Sequence, residues 1–113
     1  MKIAIIGSRN ITNADISKYI PYYCTEIVSG GARGVDNSAA EYARQYGLAL
    51  TIFLPEYEKY GRAAPIVRNK QIADYADEVL AFWDGYSKGT LSVIQYCKKS
   101  DKTCHVIQIG HAD

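Results

Sequence analysis

Histidine and cysteine are scarce in this chain, and the sites they would build are missing with them. His105 lies in the last apolar run, His111 in the polar tail, and Cys24, Cys97 and Cys104 form no C-x-x-C pair and no cluster with histidine. That excludes a zinc-site pattern and a disulfide framework, and no metal or cofactor is expected. An odd number of widely spaced cysteines reads as reduced, buried thiols, the usage of a cytoplasmic protein. Long hydrophobic runs are also absent. Ile3 to Ile6 and Leu48 to Leu54 are the longest, far short of the roughly 20 residues that cross a bilayer. The apolar start ends at Gly7-Ser8-Arg9, before the roughly 7–15 residues of a signal-peptide core. A soluble chain without a membrane partner is the expectation. Nor is there a surplus of one charge: 13 Lys and Arg against 12 Asp and Glu leave +1. No global field draws the chain to a polyanion, so any anion must be gripped locally.

What is present is alternation. The 113 residues, 48% of them apolar, fit one domain spanning 1–113. Apolar runs recur at Lys2 to Ile6, Cys24 to Val28, Leu48 to Phe53, Glu78 to Phe82 and Thr103 to Ile109, each bounded by glycine, proline or polar residues. Between them lie segments of helical spacing: Ile16, Tyr19, Ile20 and Tyr23, then Val35, Ala39, Tyr42, Ala43 and Tyr46. A third helix is predicted from Ala63 or Ala64, with Pro65 in its first turn, to Ala73, and a fourth behind Thr90 as N-cap to Cys97. The strands read as continuous apolar runs rather than alternating ones, which predicts a parallel sheet covered on both faces. The class is therefore a doubly wound, three-layer α/β domain with a mainly parallel sheet of about five strands. Pro55 to Arg62 is the one long irregular connection and reads as a lid or an exposed loop. The ten tyrosines read mostly as core or core-edge residues.

The residues able to hold a charged ligand follow the strands. After the first come Gly7, Ser8 and Arg9; after the second, Ser29-Gly30-Gly31-Ala32-Arg33-Gly34-Val35-Asp36; after the fourth, Asp84-Gly85 and then Ser87-Lys88-Gly89-Thr90. In a parallel sheet these carboxyl ends share one edge, where ligands bind at the switch point of strand order. Glycine lets backbone N–H groups close around a phosphate, and a helix start adds unpaired donors and a positive dipole end. Arg9, Arg33 and Lys88 would neutralise its charge, with Arg68 a fourth cation if it faces the cleft, while Ser8, Ser87 and Thr90 add hydroxyls. Asp36, in a helix's first turn, either caps N–H groups or meets a ribose hydroxyl or Arg33. Asp84 is the best-placed carboxylate for acid–base work, or else it forms an Asp-Gly turn. The spacing matches neither G-x-x-x-x-G-K-[ST] nor G-x-G-x-x-G, and no Ser/His/Asp or Cys/His set is evident. The ligand class read from the residues alone is a phosphate-bearing small molecule.

Gly7-Ser8-Arg9, the eight-residue glycine motif Ser29 to Asp36, Arg68-Asn69 and Ser87-Lys88-Gly89-Thr90, in that order, resemble the SLOG superfamily, which includes DprA and the LOG phosphoribohydrolases. The likeness spans Met1 to about Ile109 and is nearest to the small YspA/YpsA-like members. It implies a Rossmann-like sheet, binding of a nucleotide or nucleotide derivative such as ADP-ribose at the glycine loops, and frequently a homodimer. LOG enzymes cleave the N-glycosidic bond of nucleoside monophosphates with a glutamate in P-G-G-x-G-T-x-x-E and an arginine, which Arg68 resembles. Here Gly85-Tyr86-Ser87 stands where Pro-Gly-Gly would be, and the glutamate's position is Val93. The expected function is thus a nucleotide-binding or sensor domain. The alternatives are a nucleotide-processing hydrolase using Asp84 and Arg68, and a DprA-like binder of single-stranded nucleic acid that lacks DprA's additional domains.

Overall fold

The computed structural model describes residues 1–8, 16–31 and 35–109, and of Val35 and Asp36 the backbone only. Five strands, β1 (Lys2–Gly7), β2 (Glu26–Ser29), β3 (Ala49–Ile52), β4 (Glu78–Trp83) and β5 (Cys104–Gln108), form one sheet in the order β3-β2-β1-β4-β5. Every pairing is parallel. With helices on both faces, this is a Rossmann-like α/β domain, as the alternation of runs predicts.

Strand residues alternate between two cores. Ile3, Ile5, Ile27, Leu80 and Phe82 pack with Ala39 and Ala43 of α1 (Val35–Gln45) on one face. Ala4, Ile6, Val28 and Val79 pack on the other face with Ile72 and Ala73 of α3 (Ala64–Tyr75) and with Val93 and Cys97 of α4 (Lys88–Lys99). Pro65 sits in the first turn of α3, where its missing N–H costs no helical bond.

Four expectations change. The spacing over Ile16 to Tyr23 yields only a 3-10 turn, Ser17–Tyr19, ahead of Pro21. Ile16, Ile20 and Cys24 are buried there while Tyr19, Tyr22 and Tyr23 face solvent, so the periodicity records a covered edge of the core and not a helix. The connection after β3 is not irregular throughout, because it folds into α2 (Tyr57–Tyr60) and a 3-10 turn, Gly61–Ala63, that packs on α3. β3 is not covered on both faces: as the end strand of the sheet it leaves Leu50 and Ile52 exposed. The tyrosines divide likewise, with Tyr22, Tyr46, Tyr57 and Tyr86 exposed.

The three cysteines are free, Cys24 and Cys97 buried and Cys104 half-buried. Cys97, near the end of α4, and Cys104, the first residue of β5, are neighbours in space: their mutual hydrogen bond lowers the Cys97 thiol pKa and, with burial, raises that of Cys104. Among the described residues no helix is long and apolar enough to cross a membrane.

Candidate functional site

The chain runs outward from β1 to β2 and β3, then returns to the opposite side of β1 to make β4. β1 and β4 are thus adjacent strands whose connections lead to opposite sides of the sheet, the switch point where ligand crevices form in open parallel sheets. Gly7, the last residue of β1, is in register with Phe82 of β4, and the Ser8 N–H extends that ladder by donating to the Phe82 carbonyl at 3.1 Å. Ser8 is thereby fixed at the mouth, with its side chain turned into a buried polar cluster.

Ser8, Asp84 and Thr90 are all buried. The Ser8 hydroxyl accepts from the Asp84 N–H at 3.3 Å and lies 3.4 Å from the Thr90 hydroxyl. Asp84 Oδ1 accepts from the N–H groups of Tyr86 and Ser87, each at 2.8 Å. Gly85 completes that turn at φ +89°, a conformation that favours glycine. One carboxylate oxygen of Asp84 is thus committed to backbone donors that set the approach to α4. Trp83 Nε1 ties the same loop down by donating to the Ser87 carbonyl at 3.0 Å.

Ser87, not Thr90, caps α4. The helix begins at Lys88, and the Ser87 hydroxyl accepts from the Thr90 N–H at 3.3 Å while donating to the Thr90 hydroxyl. Thr90 sits one turn inside, facing the sheet, where its hydroxyl meets Ser8. The first-turn N–H groups of Lys88 and Gly89 have no partner among the described residues, as expected for the open end of a helix. Among the described residues a Cβ at Gly89 would meet, outside the helix backbone, only the Ser87 hydroxyl, at 4.0 Å. The Lys88 side chain is exposed and joins no contact within the cluster.

On the other side of β1, Arg68 reaches from the first half of α3 to the loop after β2. Its Nη1 donates to the Gly30 carbonyl at 2.8 Å, and its Nε donates to Asn69 Oδ1 at 2.9 Å. Asn69 therefore orients the guanidinium. A Cβ at Gly30 would stand 2.8 Å from Arg68 Nη1 and 3.0 Å from its Cζ, so Gly30 is the space in which Arg68 lies. Gly31 follows at φ +71°, with its N–H donating to the Ser29 hydroxyl at 3.3 Å.

Two groups of predicted residues are thus assembled along one edge: Ser8 with Asp84, Ser87 and Thr90, and Gly30 with Arg68 and Asn69. β2, β1 and β4 are adjacent strands, so the two groups straddle β1 across roughly 10 Å, two strand spacings. Arg9, Ala32, Arg33 and Gly34 lie outside the described residues, and Asp36 is placed only as the second residue of α1. Val93, the position of the LOG glutamate, lies on the buried face of α4, in the core and not at the edge.

Tyr86 is the residue that motif reasoning passes over. Its backbone is held by Asp84 between β4 and the cap of α4, yet the side chain is 77% exposed at the site's rim. Composition could not single it out among ten tyrosines. The signal was its place inside Asp84-Gly85-Tyr86-Ser87, between a strand end and a helix cap. A groove of about 390 Å³ also runs along α1, lined by Ile16, Ser17, Asn37, Ser38, Tyr42 and Tyr46 among others. No protein-family model, curated protein or solved structure matches this chain, so the case for a ligand rests on these residues themselves.

Proposed function

We propose that this chain is a nucleotide-binding domain of SLOG type, which holds the phosphate of a mononucleotide or of a derivative such as ADP-ribose at the carboxyl edge of its sheet. The observation that carries this reading is the convergence of independent loops on one edge. The Ser8–Thr90 hydroxyl cluster with the open N-terminus of α4 lies on one side of β1, and the Asn69-oriented guanidinium of Arg68 lies on the other. Backbone donors, hydroxyls and a planar cation are what phosphate oxygens accept from. Tyr86 supplies a ring beside the helix start on which a base can stack.

Binding rather than hydrolysis is the function proposed. Val93 has no ionisable group and is packed in the core, and Asp84 already accepts two backbone N–H bonds. Three free thiols suit a cytoplasmic setting.

Calorimetry of the whole chain against AMP, ADP-ribose and ribose 5-phosphate tests the reading. Binding by all three is expected. Tyr86→Ala should weaken the two base-bearing ligands by roughly 5- to 100-fold, the value of one base–aromatic stack, and leave ribose 5-phosphate unaffected. Folded protein that binds none of the three would reject the assignment.

A further inference from the structure

We propose that Cys97 and Cys104 are a paired oxidation site, at which a low-molecular-weight disulfide such as oxidised glutathione converts the two thiols to a disulfide within one chain. This goes beyond the nucleotide reading and is tested without it.

The fold brings the two side chains together from both directions. Cys97 belongs to the buried stripe of Thr90, Val93 and Cys97 with which α4 lies on the sheet. The helix then ends in a reversing turn: Asp101 adopts φ +58°, and the Lys102 N–H donates to the Cys97 carbonyl at 2.8 Å, the closing bond of a Schellman motif. The chain thus passes back by Cys97 on its way into β5. There Cys104 is in register with Val79. Opposed residues of neighbouring strands share a face, so Cys104 lies on the side of Val79, against the core that holds Cys97. Thiols already in hydrogen-bond contact have only to close to about 2 Å to be joined.

Burial and charge give the two thiols different parts. Cys97 is 0% exposed, whereas Cys104 is half-buried on an end strand of the sheet, so a reagent in solvent meets Cys104 first. Burial in apolar surroundings raises a thiol's pKa. At Cys97 the hydrogen bond from Cys104 outweighs that effect, helped by the Lys102 ammonium, and the pKa falls, while that of Cys104 rises. The reachable sulfur is therefore the one first attached, and the buried sulfur is the better nucleophile for the step that follows. Cys24 lies in the core on the other face of the sheet and has no part in the pair.

The exchange runs in two steps. Cys104, as thiolate, attacks one sulfur of oxidised glutathione; the S–S bond breaks, and one glutathione leaves and takes up the proton that Cys104 gave up. Cys97 then attacks the Cys104 sulfur, the mixed disulfide breaks, and the second glutathione leaves with the proton of Cys97. Two cysteine thiols are oxidised by two electrons, and one glutathione disulfide is reduced to two thiols. The first step is the slower, because Cys104 is seldom ionised, so the mixed disulfide does not accumulate.

Mass mapping of the native whole chain, equilibrated with oxidised glutathione, acid-quenched, unfolded and alkylated, tests the site. A Cys97–Cys104 disulfide is expected, with Cys24 the one thiol left to alkylate, and reduction should restore all three. Cys97→Ala, folded by far-ultraviolet dichroism, should stop with glutathione on Cys104. Cys104→Ala should leave Cys97 unmodified. A wild-type chain that keeps three alkylatable thiols, or that carries glutathione stably on Cys104, overturns the proposal. So does a disulfide that takes in Cys24 or joins two copies. Cys104→Ala that gains glutathione on Cys97 as fast as the wild type is oxidised overturns the order of attack.

Discussion

At the scale of single residues, Gly30 and Arg68 act as one unit. Gly30 has no positive φ, unlike Gly31, so freedom of backbone conformation does not explain it. It is a glycine because the guanidinium of Arg68 occupies the place of its side chain. From the chain alone, the two glycines carried the same reason, access of backbone N–H groups to an anion. The difference between them depends on a residue 38 positions away, which no local pattern contains. Gly30→Ala should therefore fold, since the atoms its methyl meets are the far end of a flexible side chain, yet it should displace Arg68. We expect phosphate-ligand affinity to fall about 10- to 100-fold by calorimetry, as for Arg68→Ala, given about 1.5–3 kcal/mol for a hydrogen bond to a charged group. A normal melting temperature with unchanged affinity would separate Arg68 from ligand binding.

At the scale of elements, α4 carries its chemistry on its first turn and its packing on one face. Thr90, Val93 and Cys97 are buried at positions three and four apart, the spacing of an inward stripe. Val93→Glu, which would recreate the residue type of LOG enzymes, should create no base-releasing activity. It should lower stability by about 3–5 kcal/mol, the cost of an uncompensated buried charge, read as a fall in the denaturant midpoint. The limits of sequence reading also lie at this scale. Alternation of runs was sufficient for the parallel sheet and for α3 and α4, because period and length separate strands from helices. Ser87 and Thr90 are both hydroxyl residues three apart, each within reach of the other, and only the helix start tells cap from capped. Ile16 to Tyr23 carries helical spacing that Pro21 interrupts, leaving the core to bury Ile16, Ile20 and Cys24 without a helix. An end strand and a central one can share the same apolar run, so the exposure of β3 followed only from strand order.

At the scale of the whole molecule, the charge balance limits what the edge can hold. A net charge of +1 supplies no extended basic track, and the described cations of the site are Arg68 and the exposed Lys88. Single-stranded DNA should therefore bind no tighter than a mononucleotide. The logarithm of its affinity should fall with that of salt concentration by a slope no steeper than about −1.4, the expectation for two or fewer phosphates neutralised at roughly −0.7 each. Fluorescence anisotropy of a labelled oligonucleotide at several salt concentrations measures this, and a steep slope would favour the DprA-like alternative.

The strand order has a kinetic consequence as well. β1 is the central strand, but one of its two neighbours comes late: Ile3 pairs with Glu78, 75 positions further along. During synthesis β1, β2 and β3 can associate early, while the flank of Ile3 to Ile6 that β4 will cover must wait until two-thirds of the chain has been made. Contacts so distant in sequence slow folding through the entropy of closing the intervening loop. The rate-limiting event should be the docking of β4 with α3 and α4 against a waiting three-stranded half. In that interval the apolar flank of β1 is what a chaperone would recognise.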